Sequence, residues 1–148
     1  MMNEARVAWV NEMQFVAETG SGHSLVLESG GSNRAPSPME MLLVGMAGCT
    51  AVDVVHILRR MRQLVTDVQV NVKGVRAEKP PRIYTDIEVE YVVTGRGLSE
   101  EKVRRAVELS ETTYCSASAM LGKTATITNA IRVLETDMES RRGEDEDI

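Results

Sequence analysis

The feature that most constrains the fold is a long apolar helix that follows a clear start signal. Residues 37–40 (SPME) supply an N-cap serine, a first-turn proline and Glu40 as the reciprocal capping-box acid. Between residues 39 and 58 only Glu40 and Asp53 carry a formal charge. A surface helix has one apolar stripe, whereas this helix is apolar nearly all round. We therefore expect it to run to about Arg62 and to be buried on most sides, within the domain or at a subunit interface.

The remaining elements follow from alternation of apolar residues and from turn signals. Three short strands precede the helix, two longer strands follow it, and Ser99 caps a second helix that is followed by a short third helix and a last strand. The predicted strands cover residues 6–10, 14–18, 24–28, 68–75, 83–93 and 124–134, and the third helix covers 115–121. This order, βββ–α–ββ–α–β, predicts an α+β fold with antiparallel sheets around a long buried central helix. We expect a single domain over residues 1–134 and a disordered acidic tail over 135–148.

Charge and composition argue against several classes of partner. Residues 135–148 hold seven acidic and two basic side chains, which accounts for the whole net charge of −5. The body is thus neutral, and aromatic residues make up only 3% of the chain, so we expect no nucleic acid partner. The weakly polar run at 41–52 is shorter than the roughly 20 residues that span a bilayer, and no secretory signal pattern is visible. These features predict a cytoplasmic protein with no membrane partner.

One face of the long helix carries side chains that suit chemistry. Cys49, Asp53 and His56 lie at spacings of four and seven residues, so they project from the same side. A buried thiol, carboxylate and imidazole need partners, because buried polar groups are costly without them. Two interpretations stay open: Cys49 is a small packed residue while Asp53 and His56 hydrogen-bond, or the three groups form a reactive site.

The second cysteine, Cys115, falls where one helix ends and the next begins. A helix N-terminus stabilises a thiolate, although a packed small residue fits the position equally well. The two cysteines also admit a dithiol that cycles through a disulfide. With His23 and His56 they provide a Cys₂His₂ inventory, but the four residues lack the close pairs of a zinc site. We therefore predict no metal site and no cofactor.

Three segments resemble a known family. Residues 35–42 (APSPMEML) and 45–54 (GMAGCTAVDV) are similar to the central helix of the OsmC/Ohr family, and residues 114–121 (YCSASAML) resemble its second cysteine segment. The likeness covers roughly residues 4–134, and the nearer branch is the OsmC-like one.

The resemblance implies an intertwined homodimer with two active sites at the subunit interface. It also implies thiol-dependent reduction of organic hydroperoxides, with Cys49 as the peroxidatic and Cys115 as the resolving cysteine. The steps would be a Cys49 sulfenic acid, a Cys49–Cys115 disulfide and reduction by an external dithiol.

Supporting residues are less clearly marked. The family's well-studied peroxidases have an arginine in the N-terminal sheet region and a glutamate ten positions before the first cysteine. In this chain the candidate cations that could replace that arginine are His23 and Arg34. Glu40 lies one position after the place of the family's glutamate. Two other functions therefore stay open: a non-enzymatic protein that binds a small apolar ligand at the dimer interface, and a thiol redox sensor.

Overall fold

The structure is a computed structural model, and it describes residues 2–136. The chain divides into two compact units between Val44 and Gly45, within the long helix. The first unit contains an antiparallel sheet of β1 (Ala5–Asn11), β2 (Gln14–Thr19) and β3 (Ser24–Glu28), in that order. All three strands were predicted within one residue of these bounds.

Helix α1 (Pro38–Arg60) begins with the predicted capping box. The Glu40 N–H donates to Ser37 Oγ at 3.1 Å, and the Ser37 N–H donates to Glu40 Oε1 at 2.9 Å. The bond from the Ser37 N–H, together with the Ser37 hydroxyl group, lowers the pKa of the Glu40 carboxyl. The helix ends two residues earlier than predicted because Arg62 adopts a left-handed φ of 58°.

Helix α1 is not buried on most sides within the single chain, so of the two predicted alternatives burial inside the domain is wrong and burial at a subunit interface stays a prediction. One stripe at four-residue spacing is fully buried and consists of Met46, Thr50, Val54 and Leu58. The apolar residues Leu42, Val44 and Val52 are 47–57% exposed on other faces. The helix is also long and apolar enough to cross a membrane, by length and composition alone. That is weak support for a membrane span, because the core helix of a soluble protein can have the same length and apolar composition.

The second unit contains a sheet of β4 (Leu64–Arg76), β5 (Tyr84–Arg96) and β6 (Thr126–Glu135). Strands β4 and β5 pair antiparallel as predicted, but β6 runs parallel to β5, which corrects the prediction of purely antiparallel sheets. Parallel neighbours need a crossover of a dozen or more residues. Here α2 (Glu100–Leu109), a π-helical turn (Ser110–Tyr114) and α3 (Ser116–Leu121) form that crossover.

The core of the second unit forms between β5 and the helices. Its fully or nearly fully buried apolar side chains on β5 and α2 are Ile87, Val89, Tyr91, Val93, Val103, Ala106 and Val107. Strand β5 is the central strand of its sheet, so its alternating residues face this core along most of its length.

The predicted acidic tail lies mostly outside the described residues. Its first residue, Glu135, still belongs to β6, and the Thr136 N–H donates to the Gly95 carbonyl at 2.8 Å. Residues 137–148 are not described, so the disorder predicted for them stays a prediction, as does the single-domain organisation.

Candidate active site

Folding brings the two cysteines together although 65 residues separate them in sequence. Cys49 lies in the middle of α1, and Cys115 is the N-cap residue of α3. The two Sγ atoms and a carboxylate oxygen of Asp53 all lie within 4.8 Å of one another. Both cysteines are free thiols. The site therefore combines two thiols and one carboxyl group.

The surroundings of Cys115 keep its thiol protonated. Its side chain is 3% exposed, and Sγ accepts hydrogen bonds from the Ser118 N–H at 3.3 Å and from Ser118 Oγ at 3.1 Å. Burial raises the pKa of Cys115; the Ser118 bonds oppose this rise, while the nearby Cys49 adds to it. The net shift is upward. Of the two interpretations of Cys115, this favours a packed residue over a thiolate stabilised by the helix terminus, because burial outweighs the bonds from one short helix.

Asp53 is held at one end of a buried chain of polar groups. Ser110 Oγ donates to Asp53 Oδ2 at 3.0 Å and contacts Thr50 Oγ1 at 2.7 Å. Thr50 Oγ1 lies 2.9 Å from the Tyr91 hydroxyl, which donates to Glu111 Oε1 at 2.7 Å. Thr50 and Ser110 are fully buried, so their hydroxyl groups depend on these contacts. The chain links the thiol site to the π-helical turn.

The hydrogen count of this chain limits the bonds that Thr50 can make. The three hydroxyl groups carry three protons, whereas four oxygen–oxygen contacts join them to each other and to the two carboxyl groups. Burial raises the pKa of Tyr91 far above its usual value, so its hydroxyl remains a donor to Glu111. Because Ser110 donates to Asp53 and Tyr91 donates to Glu111, Thr50 can donate to only one of its two hydroxyl neighbours.

A pocket of about 480 Å³ opens beside Asp53. Its polar lining includes His56, Arg60 and Tyr114, and its apolar lining comes from Ile57, Met61 and Leu109. The sequence pattern singled out His56 on this helix face but not Arg60. Spacing contained the missing signal, because Arg60 follows Asp53 by seven residues and His56 by four, on the same helical face.

The other predicted supporting residues belong to the first unit. His23 is exposed in the turn before β3, where its Nδ1 lies 3.2 Å from Ser21 Oγ. Arg34 is exposed in the loop after β3, and its backbone N–H donates to Glu28 Oε2 at 3.2 Å. Glu40 is engaged in the capping box. His23 and Glu40 thus have local side-chain contacts, whereas the bond from Arg34 involves only its backbone. The assistance of these three residues to Cys49 stays a prediction.

The fold and the paired cysteines define the class. The sequence profile of the OsmC-like proteins matches residues 30–129, and the chain belongs to this family. Family membership supports a redox or peroxide-resistance role and a soluble fold. The predicted cytoplasmic location and the absence of nucleic acid and membrane partners stay predictions.

Among individual relatives, Protein YhfA of Escherichia coli (strain K12) is 44% identical over 131 residues, which cover 88% of this chain and 98% of YhfA. A hypothetical protein from Aquifex aeolicus VF5 has a crystal structure that superposes with a TM-score of 0.82 at 34% identity, covering 93% and 99% of the two chains. The organic hydroperoxide resistance protein OhrB of Bacillus subtilis superposes with a TM-score of 0.61 at 14% identity, covering 89% and 98%. At that identity the likeness to OhrB concerns the fold alone.

Proposed function

We propose that this protein is a thiol-dependent peroxidase that reduces organic hydroperoxides. The observation that carries the proposal is the proximity of two free thiols, which lie within 4.8 Å of each other on two different helices. A disulfide needs sulfur atoms about 2.05 Å apart, so closure requires a movement of at most about 3 Å. Membership of a family with a redox or peroxide-resistance role supports the same chemistry.

The reaction proceeds in three balanced steps. The Cys49 thiol attacks the hydroperoxide, whose O–O bond breaks to give a Cys49 sulfenic acid and an alcohol. The Cys115 thiol then displaces water from the sulfenic acid, which forms the Cys49–Cys115 disulfide. An external dithiol reduces this disulfide and is itself oxidised to a disulfide.

The unequal surroundings of the two thiols support this division of roles. The nucleophile in such attack is the thiolate, and it must be reachable by the hydroperoxide. Cys115 is nearly fully buried and its pKa is raised, so it is a poor first nucleophile. Cys49 is only partly buried and lies beside the Asp53 carboxyl group, which lines the pocket. We assign the first attack to Cys49, because it is the less buried of the two thiols, and we assign to the pocket the role of receiving the organic group.

Thiol counting on the reduced protein tests the proposal. One equivalent of cumene hydroperoxide should consume both thiols of the chain, and dithiothreitol should restore them. Loss of thiols with no recovery, or no loss at Cys49 in the folded protein, would contradict the peroxidase function. The second result would favour a non-enzymatic protein that binds apolar ligands in the pocket.

Single cysteine variants separate the two roles. Cys49→Ser should abolish turnover, because the first nucleophile is missing. Cys115→Ser should complete one reaction and then lose activity as Cys49 oxidises to sulfinic acid, which mass spectrometry detects as a gain of two oxygen atoms. Equal and mild effects of the two substitutions would mean that both cysteines are packing residues.

We further propose that the protein is a homodimer that buries the exposed apolar faces of α1. Leu42, Val44 and Val52 are 47–57% exposed in the single chain. In the first unit, Trp9 is 70% exposed on β1 and Val26 is 47% exposed on β3. Exposed apolar groups of this kind mark association surfaces. A second copy is the occupant that the family resemblance implies.

Light scattering tests the dimer with a matched pair of variants. The wild-type protein should have twice the chain mass of 16.3 kDa. Val52→Glu should produce monomer, since it places a charge on the apolar face of α1. Val75→Glu should remain dimeric, because Val75 is similarly exposed but shares the polar face of β4 with Asn71 and Lys73. A wild-type monomer would contradict the proposal, as would a Val52→Glu variant that is still dimeric.

A further inference from the structure

We propose that the reduced thiol pair and Asp53 form a binding site for a thiophilic divalent cation, for which Zn²⁺ is the prototype. The three groups are the sulfur atoms of Cys49 and Cys115 and one carboxylate oxygen of Asp53. The site uses the same thiols as the proposed peroxidase reaction, but it requires no peroxidase activity. It also differs from the Cys₂His₂ set considered from sequence, because Asp53 replaces both histidines.

The geometry of the three groups suits a tetrahedral ion. With zinc–sulfur distances of about 2.3 Å, two tetrahedral thiolate ligands lie about 3.8 Å apart, and a thiolate and a carboxylate oxygen about 3.5 Å apart. The three ligand atoms already lie within 4.8 Å of one another. Each pair therefore needs to contract by no more than about 1.3 Å, which small side-chain rotations supply.

The backbone positions of the ligands favour binding without a large rearrangement. Cys49 and Asp53 are one turn apart on α1, and Cys115 is the N-cap of α3. Helices hold their side chains more precisely than loops do. Folding therefore already orders most of the ligand side chains, so binding of the ion causes little further loss of conformational entropy.

Hydrogen bonds orient two of the three ligands from outside. Ser110 Oγ donates to Asp53 Oδ2, and Ser118 donates to Cys115 Sγ through both its N–H and its hydroxyl group. Such outer contacts fix the ligand orientation and tune affinity in metal sites. Asp53 also lines the pocket, so the fourth ligand would be a water molecule from the pocket side.

The ligand set determines which ions bind. Thiolates select Zn²⁺ and similar soft or borderline ions, whereas Mg²⁺ and Ca²⁺ prefer oxygen ligands. Binding displaces the thiol protons into solvent and leaves no free thiolate to attack a peroxide. Conversely, a Cys49–Cys115 disulfide removes two of the three ligands. Metal binding and disulfide formation are therefore mutually exclusive states of one site.

Titration of the reduced full-length protein with Co²⁺ tests the proposal directly. One Co²⁺ per chain should bind with a thiolate-to-cobalt charge-transfer band, and added Zn²⁺ should displace it. Cys49→Ser and Cys115→Ser should each lower the intensity of this band by about half. Asp53→Asn should keep both thiolates and weaken binding at least about tenfold, whereas Glu101→Gln, on the exposed first turn of α2, should bind like wild type.

The outcomes distinguish this proposal from the peroxidase function. A missing charge-transfer band in the folded, reduced protein would overturn the metal site, whatever the thiol counts with hydroperoxide. Unchanged affinity in Asp53→Asn would overturn the three-ligand assignment. A charge-transfer band that survives full oxidation of both thiols would also overturn the assignment of the two cysteines as ligands. Circular dichroism on each variant shows whether it has folded. If a ligand variant has not folded, the oxidised wild-type protein, which lacks free thiols, is compared with the reduced Glu101→Gln protein for Co²⁺ binding.

Discussion

Replacement of Thr50 by valine probes the buried hydroxyl chain with little change in side-chain shape. Thr50 is fully buried, and its Oγ1 lies 2.7 Å from Ser110 Oγ and 2.9 Å from the Tyr91 hydroxyl. Valine removes both contacts. Each partner keeps one other hydrogen bond, to Asp53 and to Glu111 respectively, so neither is left wholly unsatisfied.

This count sets the expected magnitude. A buried group that loses its partner costs roughly 1–3 kcal/mol, and partial satisfaction places Thr50→Val at about 1–2 kcal/mol. Urea unfolding at fixed protein concentration should show this loss as a lower midpoint with an unchanged slope. Thr128→Val, at an exposed position of β6, is the control and should lie within about 0.5 kcal/mol of wild type. A Thr50→Val protein as stable as this control would refute the argument that the hydroxyl chain stabilises the site.

Three further predictions follow from individual contacts. Ser37→Ala removes the α1 cap and should lower the unfolding free energy by about 1 kcal/mol in urea titrations; no change would contradict the role of the capping box. Because burial raises the native pKa of Cys115, the native protein holds a proton that the unfolded chain loses above about pH 8.5. The unfolding free energy should therefore fall with rising pH there, by up to about 1.4 kcal/mol per unit, and parallel pH curves for wild type and Cys115→Ser would contradict this. Arg60→Gln should lower kcat/KM about two- to fivefold for a hydroperoxide with a carboxylate, but not for cumene hydroperoxide, whereas Arg59→Gln, outside the pocket lining, should change neither.

Local features were accessible from sequence because short-range geometry determines them. The capping box at Ser37 and Glu40 depends on four consecutive residues, and the structure contains it as predicted. The common face of Cys49, Asp53 and His56 depends only on helical spacing. The same rule, carried one turn further, includes Arg60 in the pocket lining.

Features that depend on distant contacts could not be obtained in this way. Ser110 reaches Thr50 across 60 positions, and Tyr91 reaches it across 41. No periodicity in the sequence predicts these contacts, because they form when β5 and the π-helical turn pack against α1. The burial that raises the pKa of Cys115 has the same origin, so the sequence alone could not decide between a packed thiol and a thiolate at the helix terminus.

The direction of β6 is an intermediate case. Sequence alternation predicted a strand at nearly the observed position, but not that it pairs parallel to β5. The long helical connection from Gly97 to Ala125 was an available signal, since hairpins need only a few residues and parallel pairs need a crossover. The exposure of Val44 and Val52 is a different case. An apolar sequence predicts that a residue is buried, but it does not tell whether the same chain or a second one covers it.

Peptide mapping after oxidation tests the central claim that the two thiols act as a redox pair. The reduced protein is treated with one equivalent of cumene hydroperoxide, alkylated, and digested with trypsin, which places Cys49 in peptide 35–59 and Cys115 in peptide 106–123. We predict that the two peptides are recovered joined by a disulfide, at the expense of both alkylated forms. Recovery of peptide 35–59 with a sulfinic acid beside an alkylated Cys115 would contradict the account.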